Sequence, residues 1–90
     1  MQTICLHAYV TGRVQGVFYR RETFEQARNR GLGGWAKNLP DGRVEVMICG
    51  ERHAVESLRD WLWEGPRAAQ VSHVEVEEVA CEHIQSFEVR

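Results

Sequence analysis

Apolar and polar residues alternate from Thr3 to Val10, with Ile4, Leu6, Ala8 and Val10 on one face and Cys5, His7 and Tyr9 on the other. A period of two predicts a strand with one face on a core. Thr11-Gly12-Arg13-Val14-Gln15-Gly16-Val17 breaks the period with two glycines and reads as a loop. From about Arg20 to Arg30 helix formers dominate, with Phe24 and Ala27 on one face, and Gly31, Gly33 and Gly34 end the helix. Trp35 to Leu39 predicts a short strand, Pro40-Asp41-Gly42 a turn, and Arg43 to Cys49 a second alternating strand with Val44, Val46 and Ile48 inward. The two strands form a hairpin. A second helix is expected over about Arg52 to Glu64, where Ala54, Val55, Leu58 and Leu62 share a face, and Gly65-Pro66 stops it. Val71, Val74, Val76 and Val79 mark a further strand whose alternation slips once, the mark of a bulge, and Ser86 to Val89 a last short strand.

The order β-α-β-β-α-β, with a short terminal strand, is the α+β signature of a ferredoxin-like sandwich: an antiparallel sheet with two helices on one face. That architecture hosts enzymes, RNA-binding modules and regulatory domains, so function has to come from a site. At 90 residues the chain has room for one core, a single domain over residues 1–90. The longest apolar run, Val46-Met47-Ile48-Cys49, is far too short to cross a membrane, and Met1 to His7 shows no secretory pattern. A monomer in the cytoplasm is expected. Eleven basic against thirteen acidic residues give a net charge of −2, and no basic run exceeds Arg20-Arg21, so a nucleic-acid partner is not expected. Cys5, Cys49 and Cys81 form no C-x-x-C, and His7, His53, His73 and His83 are scattered, which leaves no metal-ligand spacing. No cofactor is expected.

The chemistry concentrates between the first strand and the first helix. In Gly12-Arg13-Val14-Gln15-Gly16-Val17-Phe18-Tyr19-Arg20 a glycine-bearing loop can turn several N–H groups into one concavity, a nest for an oxyanion. Arg20 would add a planar cationic fork that matches two phosphate oxygens. The same residues also read as a plain turn with a surface arginine, and the loop alone does not choose. Several phosphate chemistries lack their parts. There is no G-x-x-x-x-G-K-[ST], the position six before Arg20 is Val14 rather than a cysteine nucleophile, and the only aspartates are Asp41 and Asp60. Phosphoryl transfer here would go directly to water.

Gly12-x-Val14-Gln15-Gly16-Val17-x-Tyr19-Arg20 resembles the first signature of the acylphosphatase family, and Gly34-Trp35-Ala36-Lys37-Asn38 with Gly42, Val44 and Gly50 resembles its second. Gly65-Pro66-Arg67-x-Ala69-x-Val71 looks like the family's bacterial branch, and the likeness spans essentially the whole chain. Tyr19 stands where phenylalanine is commoner, and Ala36 where valine is. The resemblance implies hydrolysis of acyl phosphates to carboxylate and inorganic phosphate, which would act as product and inhibitor. It assigns phosphoryl binding to Arg20 and the N–H groups of Gln15, Gly16, Val17, Phe18, Tyr19 and Arg20, and orientation of the attacking water to Asn38. The chemistry agrees: a carboxylate leaves without a general acid, and the phosphate oxygens can take the proton of water. Taken alone, Asn38 before Leu39-Pro40-Asp41-Gly42 is a turn former, and Gln15 either touches substrate or holds the loop. Two alternatives share the fold: a non-catalytic domain that binds phosphate or carbamoyl phosphate, as found fused in larger carbamoyl-transfer proteins, and an RNA-binding module.

A disulfide expectation comes from register. In a ferredoxin-like sheet the first and third strands run antiparallel side by side, so Cys5 at the start of one faces Cys49 at the end of the other. Both lie on the face away from the helices, and Cα atoms ~4.5–5.5 Å apart suit a disulfide. A cytoplasmic location would keep the thiols reduced; oxidised, the pair would add stability without touching the site. Cys81 is expected to stay free.

Overall fold

The computed structural model describes every residue except Met1 and His83, so that one of the scattered histidines lies outside the described residues. The elements are β1 (Thr3–Arg13), α1 (Tyr19–Asn29), β2 (Gly33–Asn38), β3 (Val44–Glu51), α2 (Arg52–Glu64), β4 (Gln70–Val79) and β5 (Phe87–Val89). The sheet order is β4-β1-β3-β2-β5. Among the first four strands each neighbouring pair is antiparallel, in the ferredoxin-like arrangement. β5 differs: it pairs parallel to β2, Gly34 with Phe87 and Ala36 with Val89, and makes the sheet mixed.

The core is the apolar face that the alternation predicts. Ile4, Leu6, Ala8 and Val10 of β1 and Val44, Val46 and Ile48 of β3 are buried together against Val55, Leu58 and Leu62 of α2. From α1 the buried residues are Tyr19, Thr23 and Ala27, while Phe24 is half-buried against Phe87, their ring centres 6.5 Å apart. The buried Thr23 hydroxyl donates to the Tyr19 carbonyl at 2.7 Å, so it costs no unmet polar group. Among the described residues no buried side-chain polar atom lacks a partner.

β4 departs from strict alternation twice, for different reasons. Its register against β1 shifts between Thr11↔His73 and Gly12↔Val71, which leaves Ser72 as the extra residue of a bulge. The Ser72 hydroxyl donates to the Thr11 carbonyl at 3.1 Å. Val79 has no bulge behind it. It pairs with Cys5 and so shares that cysteine's face, opposite to the core face of Val74 and Val76.

The register sets Cys5 opposite Cys49, and the two are joined as a disulfide with Cα atoms 4.1 Å apart, closer than antiparallel neighbours usually keep. Cys81 is free and exposed. On the same outer face, His7 Nε2 lies 2.6 Å from the accepting Glu45 Oε2, and Lys37 Nζ lies 3.5 Å from Glu45 Oε1. Burial pushes the Glu45 carboxyl up, but the His7 hydrogen bond and the Lys37 charge outweigh it and hold it below the usual range. Guanidinium groups cover the aromatics there, Arg43 over Tyr9 at 4.7 Å and Arg90 over Trp35 at 4.8 Å.

Candidate active site

β1 pairs with β3 only as far as Val10↔Val44, then runs on beside β4 alone to Arg13↔Gln70. The chain between Arg13 and α1 therefore has no ladder on its β3 side. Gln15 takes over that role. Its Nε2 donates to the carbonyls of Leu39 at 2.8 Å and Arg43 at 2.9 Å, which ties the loop to the β2–β3 hairpin. The Gln15 side chain is thus engaged with the hairpin rather than free to meet a ligand.

Two positive-φ residues shape the rest of the loop. Gly16 has φ 75°, which glycine adopts without steric cost. Phe18 has φ 62° and ψ 24°, a left-handed conformation that a bulky residue seldom takes, and the residue is 77% exposed. Phe18 is also the N-cap of α1, where no side chain caps the helix. The contrast with α2 is direct: there the Glu51 carboxylate accepts from Ala54 N at 3.0 Å. The first-turn N–H groups of α1 are left available to an external anion, at the positive end of the helix dipole.

Arg20, half-buried in the first turn, donates from Nη1 to the main-chain oxygen of Arg90, which follows β5. Arg20 also lines a pocket of about 260 Å³. The pocket brings together Gly16, Phe18, Tyr19 and Arg20 with Asn38, the last residue of β2. Val17 is buried beneath the loop and, like Gln15, contributes no lining side chain. Tyr19 lines the pocket, but its hydroxyl donates to the Leu62 carbonyl at 2.6 Å and burial pushes its pKa well up, so it is neither acid nor base near neutrality. Its job is to fasten the start of α1 to the end of α2.

Val14, Arg21 and Val89 complete the lining. Val14 and Arg21 lie within or beside the glycine loop, whereas Val89 carries no signal in the sequence, because it arrives only through the parallel β2–β5 pairing. Trp35 and Trp61 are packing groups: Trp35 lies under Lys37 and Arg90, and Trp61 has its ring centre 5.8 Å from that of Tyr19. Among the described residues no group of three or more His, Cys, Asp or Glu is gathered. Among the described residues no helix is long and apolar enough to cross a membrane.

The acylphosphatase family model matches residues 6–89. An acylphosphatase of Nitrosococcus oceani is 52% identical over 86 residues, covering 96% of this chain and 97% of that protein. One of Pseudomonas aeruginosa is 53% identical over 90 residues, with 100% and 99% covered. The solved structure of an acylphosphatase from Coxiella burnetii superposes with a TM-score of 0.94 at 46% identity, over 98% of this chain and 93% of that one. With both signatures converging on one pocket and these likenesses running end to end, the chain belongs to the acylphosphatase family.

Proposed function

We propose that this protein hydrolyses the carboxyl–phosphate bond of acyl phosphates by in-line attack of water, with no metal ion and no covalent intermediate. The observation that carries the reading is the convergence of Arg20, the uncapped N–H groups of α1 and Asn38 on one small pocket. The phosphoryl group sits on the loop and first-turn N–H groups, with the Arg20 guanidinium bridging two of its oxygens. Asn38 hydrogen-bonds the attacking water, and the leaving carboxylate departs without a proton because it is already a weak base. The pocket offers no titrating acid or base, and this chemistry needs none: catalysis is positioning and charge stabilisation.

The reading includes a single domain acting as a monomer in the cytoplasm, without a nucleic-acid partner. The relatives that it matches over nearly their whole length are named acylphosphatases, which favours a hydrolase over a non-catalytic phosphate-binding domain. The aromatics on the outer sheet face are already stacked under cations, which disfavours an RNA platform. The test is phosphate release from acetyl or benzoyl phosphate by purified protein in the presence of EDTA. Asn38→Ala should lower kcat by roughly 100- to 1,000-fold while inhibition by inorganic phosphate stays within about twofold of wild type. Equal loss of turnover and phosphate affinity would move Asn38 from the water to the phosphate.

A further inference from the structure

The pocket does not end at the phosphoryl site. Past Phe18 and Arg21 the surface continues into a wider groove of about 540 Å³, which the two residues share with Glu22, Pro66, Arg67 and Ala68. Val17, Phe18, Pro66 and Ala68 give the groove its apolar lining, and Arg21, Arg67 and Glu22 its charged lining, two guanidinium groups to one carboxylate. Arg21 has a partner of its own in Glu25 at 3.7 Å. Arg67 makes no ion pair or side-chain hydrogen bond among the described residues.

The turn that carries Arg67 is anchored to the site. Gly65 ends α2 at φ 66°, and a Cβ there would come 2.8 Å from Cε2 of Tyr19. Only glycine lets this turn press against the first residue of α1. Ala69 N then donates to the Pro66 carbonyl at 3.0 Å and closes the turn around Arg67. The sequence Gly65-Pro66-Arg67 thus holds the backbone of Arg67 at the groove it lines with Phe18, and the phosphoryl chemistry leaves its guanidinium unused.

In-line displacement says what it faces. Attacking water, phosphorus and leaving oxygen lie roughly on one line. Asn38 and Val89 come from the paired strands β2 and β5 and wall the sheet side of the pocket, while Phe18 and Arg21 wall the helix side. With water on Asn38, the acyl group points toward Phe18 and into the groove. On the strength of the acyl-phosphate reading, we infer that Arg67 is a specificity residue: the groove accepts the acyl group, and Arg67 favours acyl phosphates with a short carbon chain ending in a second anionic group.

Succinyl phosphate and acetyl phosphate are the paired probes, alike at the reacting bond and different at the far end of the acyl group. Arg67→Gln should lower kcat/KM for succinyl phosphate about fivefold, through KM, as expected for loss of a partly exposed charged contact. The same variant should change kcat/KM for acetyl phosphate, and inhibition by inorganic phosphate, by less than twofold. Arg59→Gln removes the same charge from the exposed face of α2 and serves as the control for net charge. Equal losses for both substrates, or the same selective loss in Arg59→Gln, would overturn the assignment while leaving acyl-phosphate hydrolysis intact. Failure of the wild-type protein to hydrolyse either probe would remove the acyl-phosphate reading, and the role of Arg67 with it.

Discussion

The two ends of the β1–β3 pair are built on opposite plans. At the end where β1 begins and β3 finishes, Cys5 and Cys49 are covalently joined, and the Glu51 carboxylate caps α2. Arg52 N donates to the Gln2 carbonyl at 3.0 Å, and its side chain reaches Gln2, Glu56 and Glu78. Polar groups at this end satisfy one another. At the other end β1 parts from β3, α1 starts uncapped behind a left-handed Phe18, and Arg20 reaches the pocket. On the proposed function the closed end contributes rigidity, and the open end keeps donors unspent for a ligand that supplies the missing charge. An anion site made of N–H groups has to be left incomplete by its own chain, and the rest of the fold has to hold it in shape.

Substitutions at the two ends should therefore separate activity from stability. The largest effect is expected from Arg20→Lys, which keeps the charge but loses the planar fork. It should cut kcat/KM roughly a thousandfold. Inhibition by inorganic phosphate should vanish with it, with little change in thermal unfolding. Full activity in that variant would mean that the open end needs only a positive charge there. The closed end should behave in reverse. Replacing Cys5 and Cys49 by alanine, or reducing the wild-type protein, should lower stability by about 4 kcal/mol in the chain-entropy model. Denaturant unfolding measures that loss, and kcat/KM measured where the protein remains folded should be unchanged. A large drop in turnover on reduction would show that strain crosses the sheet and that the ends are not independent.

Gln15 sits where the plans meet, because its side chain restrains the open end and is spent on the hairpin carbonyls. Gln15→Ala removes two donors from the carbonyls of Leu39 and Arg43, although Leu39 N still donates to Arg43 O at 2.8 Å. Stability should fall by about 1–2 kcal/mol. Phosphate should bind roughly tenfold more weakly as the loop loses its position. Chemical-shift titration with inorganic phosphate reads the second effect, and unchanged affinity would leave Gln15 a purely structural tie.

What the sequence makes legible follows from period and adjacency. β1, β3 and α2 are readable because their apolar faces repeat at 2 or 3.6 residues, and the Cys5–Cys49 pairing is readable because parity and strand order fix it. The hairpin turn at Pro40-Asp41-Gly42 is local chemistry. The parts that are not legible depend on distant partners. β5 is expected as an element, but at three residues it carries no period that would place it, and its parallel pairing with β2, where Phe87 meets Phe24, appears only in three dimensions. The outward turn of Val79 comes from its pairing with Cys5. In the site, the glycine loop and Arg20 stand out locally, but the hairpin carbonyls that hold Gln15 and the Leu62 carbonyl that takes the Tyr19 hydroxyl appear only in three dimensions.

The smallest expected effect is a difference in acid sensitivity between the two helix starts. Hydrogen bonds from the Ala54 and His53 N–H groups hold the Glu51 carboxyl below its usual range. A carboxylate with a lowered folded pKa contributes stability that is present in full above its unfolded value, about 4.3, and is lost as pH falls through the folded one. Asp41, held low first by the Arg43 N–H, and Glu45 have the same sign, so the whole protein should weaken below about pH 4. The helix starts should nevertheless differ. The Ala54 N–H depends on an ionised Glu51, whereas in α1 the Glu22 N–H, one position further into its helix, donates to the Phe18 carbonyl at 2.9 Å and depends on no carboxylate. Between pH 6 and pH 3 hydrogen exchange at Ala54 should quicken, after correction for intrinsic rates, more than exchange at Glu22. Glu51→Gln should remove that excess, and its stability should converge on the wild-type value as pH falls. Equal acceleration at both amides would mean that acid acts on the fold as a whole, and that the closed end owes nothing particular to its carboxylate cap.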